Sequence, residues 1–127
     1  MARDQERRFL RRGSTPLVVH GLLEYGIGIL LIASSSFFYD DGTATAVSIL
    51  LGAAVLAISA LSDIPTALLR RIPLGAHILL DYLFGILLAA SPFIFDFSSE
   101  AGAVAFFLVV GIFYLFLTAV TRFKRQE

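Results

Sequence analysis

Pro16-Leu17-Val18-Val19-His20-Gly21-Leu22-Leu23-Glu24-Tyr25 and Pro73-Leu74-Gly75-Ala76-His77-Ile78-Leu79-Leu80-Asp81-Tyr82 are two statements of one phrase, fifty-seven residues apart. Each places a histidine, a carboxylate four residues later and then a tyrosine inside a stretch that otherwise reads as hydrocarbon. Unpaired polar groups are costly in apolar surroundings, so the fold must supply them with partners. Sliding the chain against itself by the same interval aligns 16–63 with 73–120 without a gap, giving 17 identities in 48 positions, 12 of them in the first 19. Chance would give roughly a tenth in so Leu- and Ala-rich a chain. The pattern predicts a duplicated unit.

The composition says where that unit resides. The 127 residues are 57% hydrophobic and 16% charged, against roughly 45–50% and 25% in ordinary soluble domains. Four apolar stretches, 17–38, 44–64, 74–95 and 101–120, separate three clusters of basic residues. Each has about twenty residues, which at 1.5 Å per residue spans the roughly 30 Å hydrocarbon core. The expected fold is an all-α membrane protein with four transmembrane helices, arranged as two tandem helical-hairpin repeats of the same orientation, related by an axis along the membrane normal.

Every base lies in the N-terminal segment, around Arg70 and Arg71, or in the C-terminal tail, whereas 39–43 and 96–100 contain acids and no base. The positive-inside rule then places both termini and the middle loop in the cytoplasm, for a multi-pass protein of the cell (inner or plasma) membrane. The chain divides into a basic segment 1–15, a first hairpin 16–64, a cytoplasmic loop 65–72, a second hairpin 73–121 and a basic tail 122–127. Arg7 and Arg8 before an apolar run resemble a twin-arginine export signal, but the run is long and carries His20 and Glu24, so it is expected to be retained. The basic termini are expected to rest on anionic lipid headgroups.

On a helix, His20, Gly21, Glu24, Tyr25, Gly28, Leu31, Ile32 and Ser35 share one arc, opposite Leu22, Leu23, Ile27, Ile29 and Leu30. The second copy repeats this with His77, Asp81, Tyr82, Gly85 and Leu88. Counted from the prolines, the histidines lie about 6 Å and the carboxylates about 12 Å into the bilayer. The candidate polar cluster is therefore His20, Glu24, Tyr25, His77, Asp81 and Tyr82, brought together if the first and third helices meet, an approach that Gly28 and Gly85 would permit. In the second helix Ala44, Ser48 and Gly52 form a small-residue packing line. Asp63 is expected to pair with Arg70, Arg71 or Arg122 at the interface. The fourth helix, bulky with Phe106, Phe107, Phe113, Tyr114 and Phe116, suits lipid or a hydrophobic partner.

Three roles compete for the cluster. The preferred one is interhelical glue, at about 0.6–2 kcal/mol per hydrogen bond. The second is a proton or cation pathway, since intramembrane carboxylates and histidines are titratable. The least favoured is a metal held by His20, Glu24, His77 and Asp81, since di-iron bundles use Glu-x-x-His with four carboxylates, not His-x-x-x-Glu. No resident metal or cofactor is expected. Nucleophile elbows, P-loops, dinucleotide loops and zinc-hydrolase motifs are absent, which argues against an enzyme. Zero cysteine excludes thiolate chemistry, and the juxtamembrane bases have too few interleaved aromatics to suggest nucleic acid.

Leu87-Leu88-Ala89-Ala90-Ser91-Pro92-Phe93-Ile94-Phe95, with the preceding His77-to-Tyr82 phrase, resembles the SPW repeat family of small bacterial membrane proteins, which carry one or two helical hairpins with a Ser-Pro-Trp signature. The resemblance covers roughly 16–122. It departs from the signature in both copies, which read Ser91-Pro92-Phe93 and Ser34-Ser35-Ser36, and the chain has no Trp. Phe93, Phe95, Phe97, Phe37, Phe38 and Tyr39 are expected as aromatic anchors at the outer interface. The function expected is that of a non-enzymatic structural or accessory membrane protein, associating with a membrane-protein partner or with itself. The alternative is a small proton- or cation-coupled transporter using the His/Glu and His/Asp pairs.

Overall fold

A computed structural model describes residues 16–121; the basic segment 1–15 and the tail 122–127 lie outside the described residues. The chain forms α1 (Leu17–Ala33), a 3₁₀ turn (Ser34–Ser36), α2 (Gly42–Leu61), α3 (Leu74–Ile94) and α4 (Ala101–Val120). All four helices, the first counted with its 3₁₀ turn, are long and apolar enough to cross a membrane. The expected all-α membrane architecture is thus observed, with shorter first and second helices than the hydropathy suggested. The α-helical part of α1 stops at Ala33 because the chain tightens where Ser34 Oγ donates back to the Leu31 carbonyl at 2.8 Å. At the start of α2, Asp41 Oδ1 accepts the Ala44 N–H at 2.9 Å, a side-chain cap for an otherwise orphan donor. Its far end is closed by the following loop: the N–H groups of Leu68 and Leu69 reach the Ala60 carbonyl, and those of Arg71 and Ile72 reach Leu61. Carbonyls left over by the last helical turn are thereby satisfied.

Each helix packs chiefly on its hairpin partner, α1 on α2 and α3 on α4, and the hairpins adjoin through α2 with α3 and α1 with α4. The helices α1 and α3 therefore stand on a diagonal. This corrects the expectation that Gly28 and Gly85 admit them to each other. A Cβ on Gly28 would meet Leu56 and the Gly52 carbonyl; one on Gly85 would meet Leu115 and the Gly111 carbonyl. The glycines thus bring together the two helices of one hairpin. The pairings also revise the register: Gly85 follows Gly28 by 57 positions, but Gly111 follows Gly52 by 59. The facing glycines are thus 24 positions apart in the first hairpin and 26 apart in the second.

The buried stripe of α1 runs Leu17, His20, Gly21, Glu24, Ile27, Gly28 and Leu31, the three- and four-residue steps of a helix with one inward face. Ile27, expected toward lipid, is inside, and Ile32, expected inside, is exposed. Ala44, Ser48 and Gly52 of α2 are buried as a line. Away from the prolines the core is aromatic. Phe97 stands edge-on to Phe107 at 5.0 Å, and Tyr39 lies 6.1 Å from Phe107. Tyr39 and Phe97 are therefore core residues, while Phe37, Phe38, Phe93 and Phe95 remain exposed as anchors would be. In α4, Phe113 and Phe116 face outward, but Phe107 and Tyr114 are buried. Asp63 is half-buried with its N–H on the Ile72 carbonyl, and among the described residues no ion pair joins it to Arg70 or Arg71; Arg122 lies outside them.

Asp96 ends α3 with φ 59°, a left-handed backbone. The Phe97 N–H reaches back to the Pro92 carbonyl at 2.9 Å across it, the Schellman closure that usually employs glycine. Asp96→Gly is expected to raise thermal stability slightly, and Asp96→Val to lower it by about 1–2 kcal/mol, since a β-branched residue suffers most there. Equal melting temperatures for the two variants in detergent would contradict this.

Candidate functional site

Four side chains from the two diagonal helices meet in the bundle centre: His20 and Glu24 of α1, and His77 and Asp81 of α3, all 0–1% exposed. Within each helix the histidine and carboxylate are four residues apart, so they project from one face a turn apart. The phrase thus delivers one imidazole and one carboxylate per hairpin to the same point. His20 Nε2 lies 2.6 Å from Glu24 Oε1 and 2.9 Å from Asp81 Oδ2. His77 Nε2 lies 3.0 Å from Glu24 Oε1 and 3.1 Å from Asp81 Oδ2. The four inward atoms are therefore cross-connected, each imidazole touching the carboxylates of both helices.

Each of these residues also has an outward atom, and each outward atom is held by a hydroxyl. His20 Nδ1 meets Thr121 Oγ1 at 2.7 Å, and His77 Nδ1 meets Ser62 Oγ at 2.6 Å. Ser59 Oγ donates to Glu24 Oε2 at 2.6 Å, and the Tyr114 hydroxyl donates to Asp81 Oδ1 at 3.0 Å, with Glu24 Oε1 at 3.2 Å. The hydroxyls fix the imidazole tautomer. Thr121 gives its single proton to the Leu117 carbonyl and Ser62 gives its own to Ile58, both at 2.5 Å. Each oxygen can then only accept from the ring, so Nδ1 carries a proton in both histidines, and Nε2, which faces the carboxylates, donates to them only when the ring holds a second proton. The hydroxyls come from α2, α4 and the residues that end them, so all four helices contribute.

Of the six residues expected to cluster, His20, Glu24, His77 and Asp81 are brought together, and the two tyrosines are not. Tyr25 is half-buried and donates to the Thr66 carbonyl at 2.9 Å, tying α1 to the 62–73 connection. Tyr82 is 39% exposed and turned out of the bundle. One position past the carboxylate a helix has rotated by about 100°, enough to leave the inward stripe. The phenol that does enter is Tyr114, 2% exposed. Depth would have found it: Tyr114 lies seven residues from Thr121, and Glu24 eight from Pro16, so they stand at similar levels. The packing residues Gly28, Gly85, Ser48 and Gly52 are all buried.

A model of the SPW repeat domain matches residues 18–121. No curated protein and no solved structure matches the chain. At the signature position of the second hairpin, Ser91 Oγ donates to the Leu87 carbonyl at 2.6 Å, Pro92 is buried near the end of α3, and Phe93 is 62% exposed. The match takes in all four helices and every residue of the buried cluster: the chain belongs to the SPW repeat family.

Proposed function

We propose that this membrane protein is a non-enzymatic structural or accessory component, whose buried His/carboxylate cluster locks two hairpins into a rigid four-helix platform for association within the bilayer. The observation that carries this is the closure of the cluster: four fully buried polar residues whose inward atoms pair with one another and whose outward atoms each meet a hydroxyl. Such saturation favours fixed register over conduction, since a pathway needs groups whose partners exchange. The arrangement of bases supports an orientation with both termini in the cytoplasm, where the basic segments would rest on anionic lipid. The partner would be another membrane protein or a second copy of this chain. Purified protein in liposomes carrying an internal pH dye is expected to dissipate an imposed proton or cation gradient no faster than empty vesicles. A flux that Glu24→Gln abolishes would overturn the proposal in favour of a transporter.

A further inference from the structure

The inward atoms of the cluster are His20 Nε2, His77 Nε2, Glu24 Oε1 and Asp81 Oδ2, and one ligand atom from each residue can be chosen so that all lie within 4.8 Å of one another. Neutral imidazole nitrogen and carboxylate oxygen are the ordinary non-thiolate ligands of zinc and its neighbours. We propose that these four atoms form a divalent transition-metal site, with zinc the first candidate, which bolts the two hairpins together.

Convergence alone would be weak support, because histidine and carboxylate also make salt bridges. The surrounding hydroxyls carry the inference further. Metal-bound histidines almost always donate the other ring N–H to an oxygen, and ligating carboxylates are themselves hydrogen-bonded. Here Thr121 and Ser62 accept from the two Nδ1–H groups, and Ser59 and Tyr114 donate to the two outer carboxylate oxygens. Each ligand is thus oriented by its own hydroxyl. The tautomer so fixed leaves both Nε2 atoms as the ones aimed at the ion.

Charge and size agree with this assignment. Two neutral imidazoles and two carboxylates carry two negative charges, which one divalent ion neutralises in a site that lipid and helix exclude from water. A tetrahedron with metal–ligand bonds of about 2.0 Å has edges of about 3.3 Å; its four nitrogen–oxygen edges correspond to the contacts of 2.6–3.1 Å and need about 0.2–0.7 Å of expansion. Four ligands and only two carboxylates suit neither calcium nor magnesium, which take six or more oxygens. The absence of cysteine disfavours copper(I).

With the cluster at 0–1% exposure, an ion enters as the hairpins associate and is then retained. The test is elemental analysis of the untagged full chain, expressed with zinc in the medium, extracted in detergent and dialysed against a chelator. One zinc per chain is expected, lost to the chelator only on unfolding. Refolding with cobalt should give the visible absorption of a tetrahedral ion. Thr121→Ala and Ser62→Ala leave the four ligands in place, and if their helicity is unchanged each should weaken metal retention by about 10- to 100-fold. Zinc at the blank level after both expression and refolding, or full retention in both folded variants, would overturn the site. The proposal goes beyond the platform role and fails separately from it: zinc flux in liposomes would sink the platform and leave the site, while a metal-free chain would do the reverse.

Discussion

Replacing Glu24 by alanine is expected to destabilise the bundle by about 3–5 kcal/mol, the cost typical of removing one partner from a buried charged cluster. Glu24 accepts from Ser59, shares the Tyr114 proton with Asp81, and in the metal-free cluster accepts from Nε2 of His20 and of His77 when those rings carry a second proton. Four intramembrane hydrogen bonds at about 0.6–1.7 kcal/mol each would sum to about 2–7 kcal/mol, which brackets the same figure. The loss extends beyond one contact, because both Nε2 atoms would be left facing a single carboxylate and Ser59 would have its hydroxyl stranded. Glu24→Gln fills the same space and keeps acceptor capacity on one oxygen, so a smaller loss is expected. Unfolding in mixed detergent, followed by circular dichroism, should order the proteins wild type, Gln, Ala. An alanine variant as stable as wild type would mean that the cluster contributes nothing to assembly.

The second large effect is expected at the helix contacts inside each hairpin. A Cβ on Gly111 would lie 2.7 Å from the Ala89 nitrogen and 2.9 Å from the Gly85 carbonyl oxygen; one on Gly52 would lie 2.7 Å from the Gly28 carbonyl oxygen. These are backbone atoms, which cannot rotate away as a side chain can, so α1 and α2, or α3 and α4, must separate. Gly111→Val and Gly52→Val are therefore expected to cost at least the upper end of the roughly 1–3 kcal/mol range for overpacking. Gly26 provides the control, since nothing lies within 4 Å of its added Cβ. There Gly→Ala should stabilise by about 0.5–1 kcal/mol through helix propensity. If Gly111→Val and Gly26→Ala melt alike, close backbone approach is not what holds the hairpins.

Much of this was legible from the doubled phrase. Its apolar length predicts membrane helices, and its His-x-x-x-carboxylate spacing predicts an inward pair in each copy; His20, Glu24, His77 and Asp81 do converge. What the sequence concealed was neighbourhood. Periodicity tells which face of a helix is polar but not which helix it meets: Gly28 and Gly85 share a place in the repeat, yet they pack on Gly52 and Gly111. The phrase includes Tyr25 and Tyr82, but a step of one residue past the carboxylate turns them away from the cluster. Tyr114 stands among bulky apolar α4 neighbours that mask its role as a donor to the cluster. The identities of the 57-residue shift concentrate in α1 and α3, where Gly28 and Gly85 keep that interval. In α2 and α4 the glycines in contact, Gly52 and Gly111, are 59 positions apart.

The diagonal placement of α1 and α3 has a consequence for biogenesis. Because the cluster crosses the bundle, neither hairpin can complete it alone. As the chain leaves the ribosome, the first hairpin enters lipid with Glu24 served only by His20 and Ser59 from its own half. Thr121, the partner of His20 Nδ1, stands beyond the end of the last helix. The first hairpin must therefore wait, incompletely neutralised, until α4 and Thr121 have been translated. A nascent chain arrested before α4 would present exposed intramembrane polar groups of the kind that insertion factors and membrane proteases can recognise, so completion of the cluster doubles as a mark that α4 has been made and has docked.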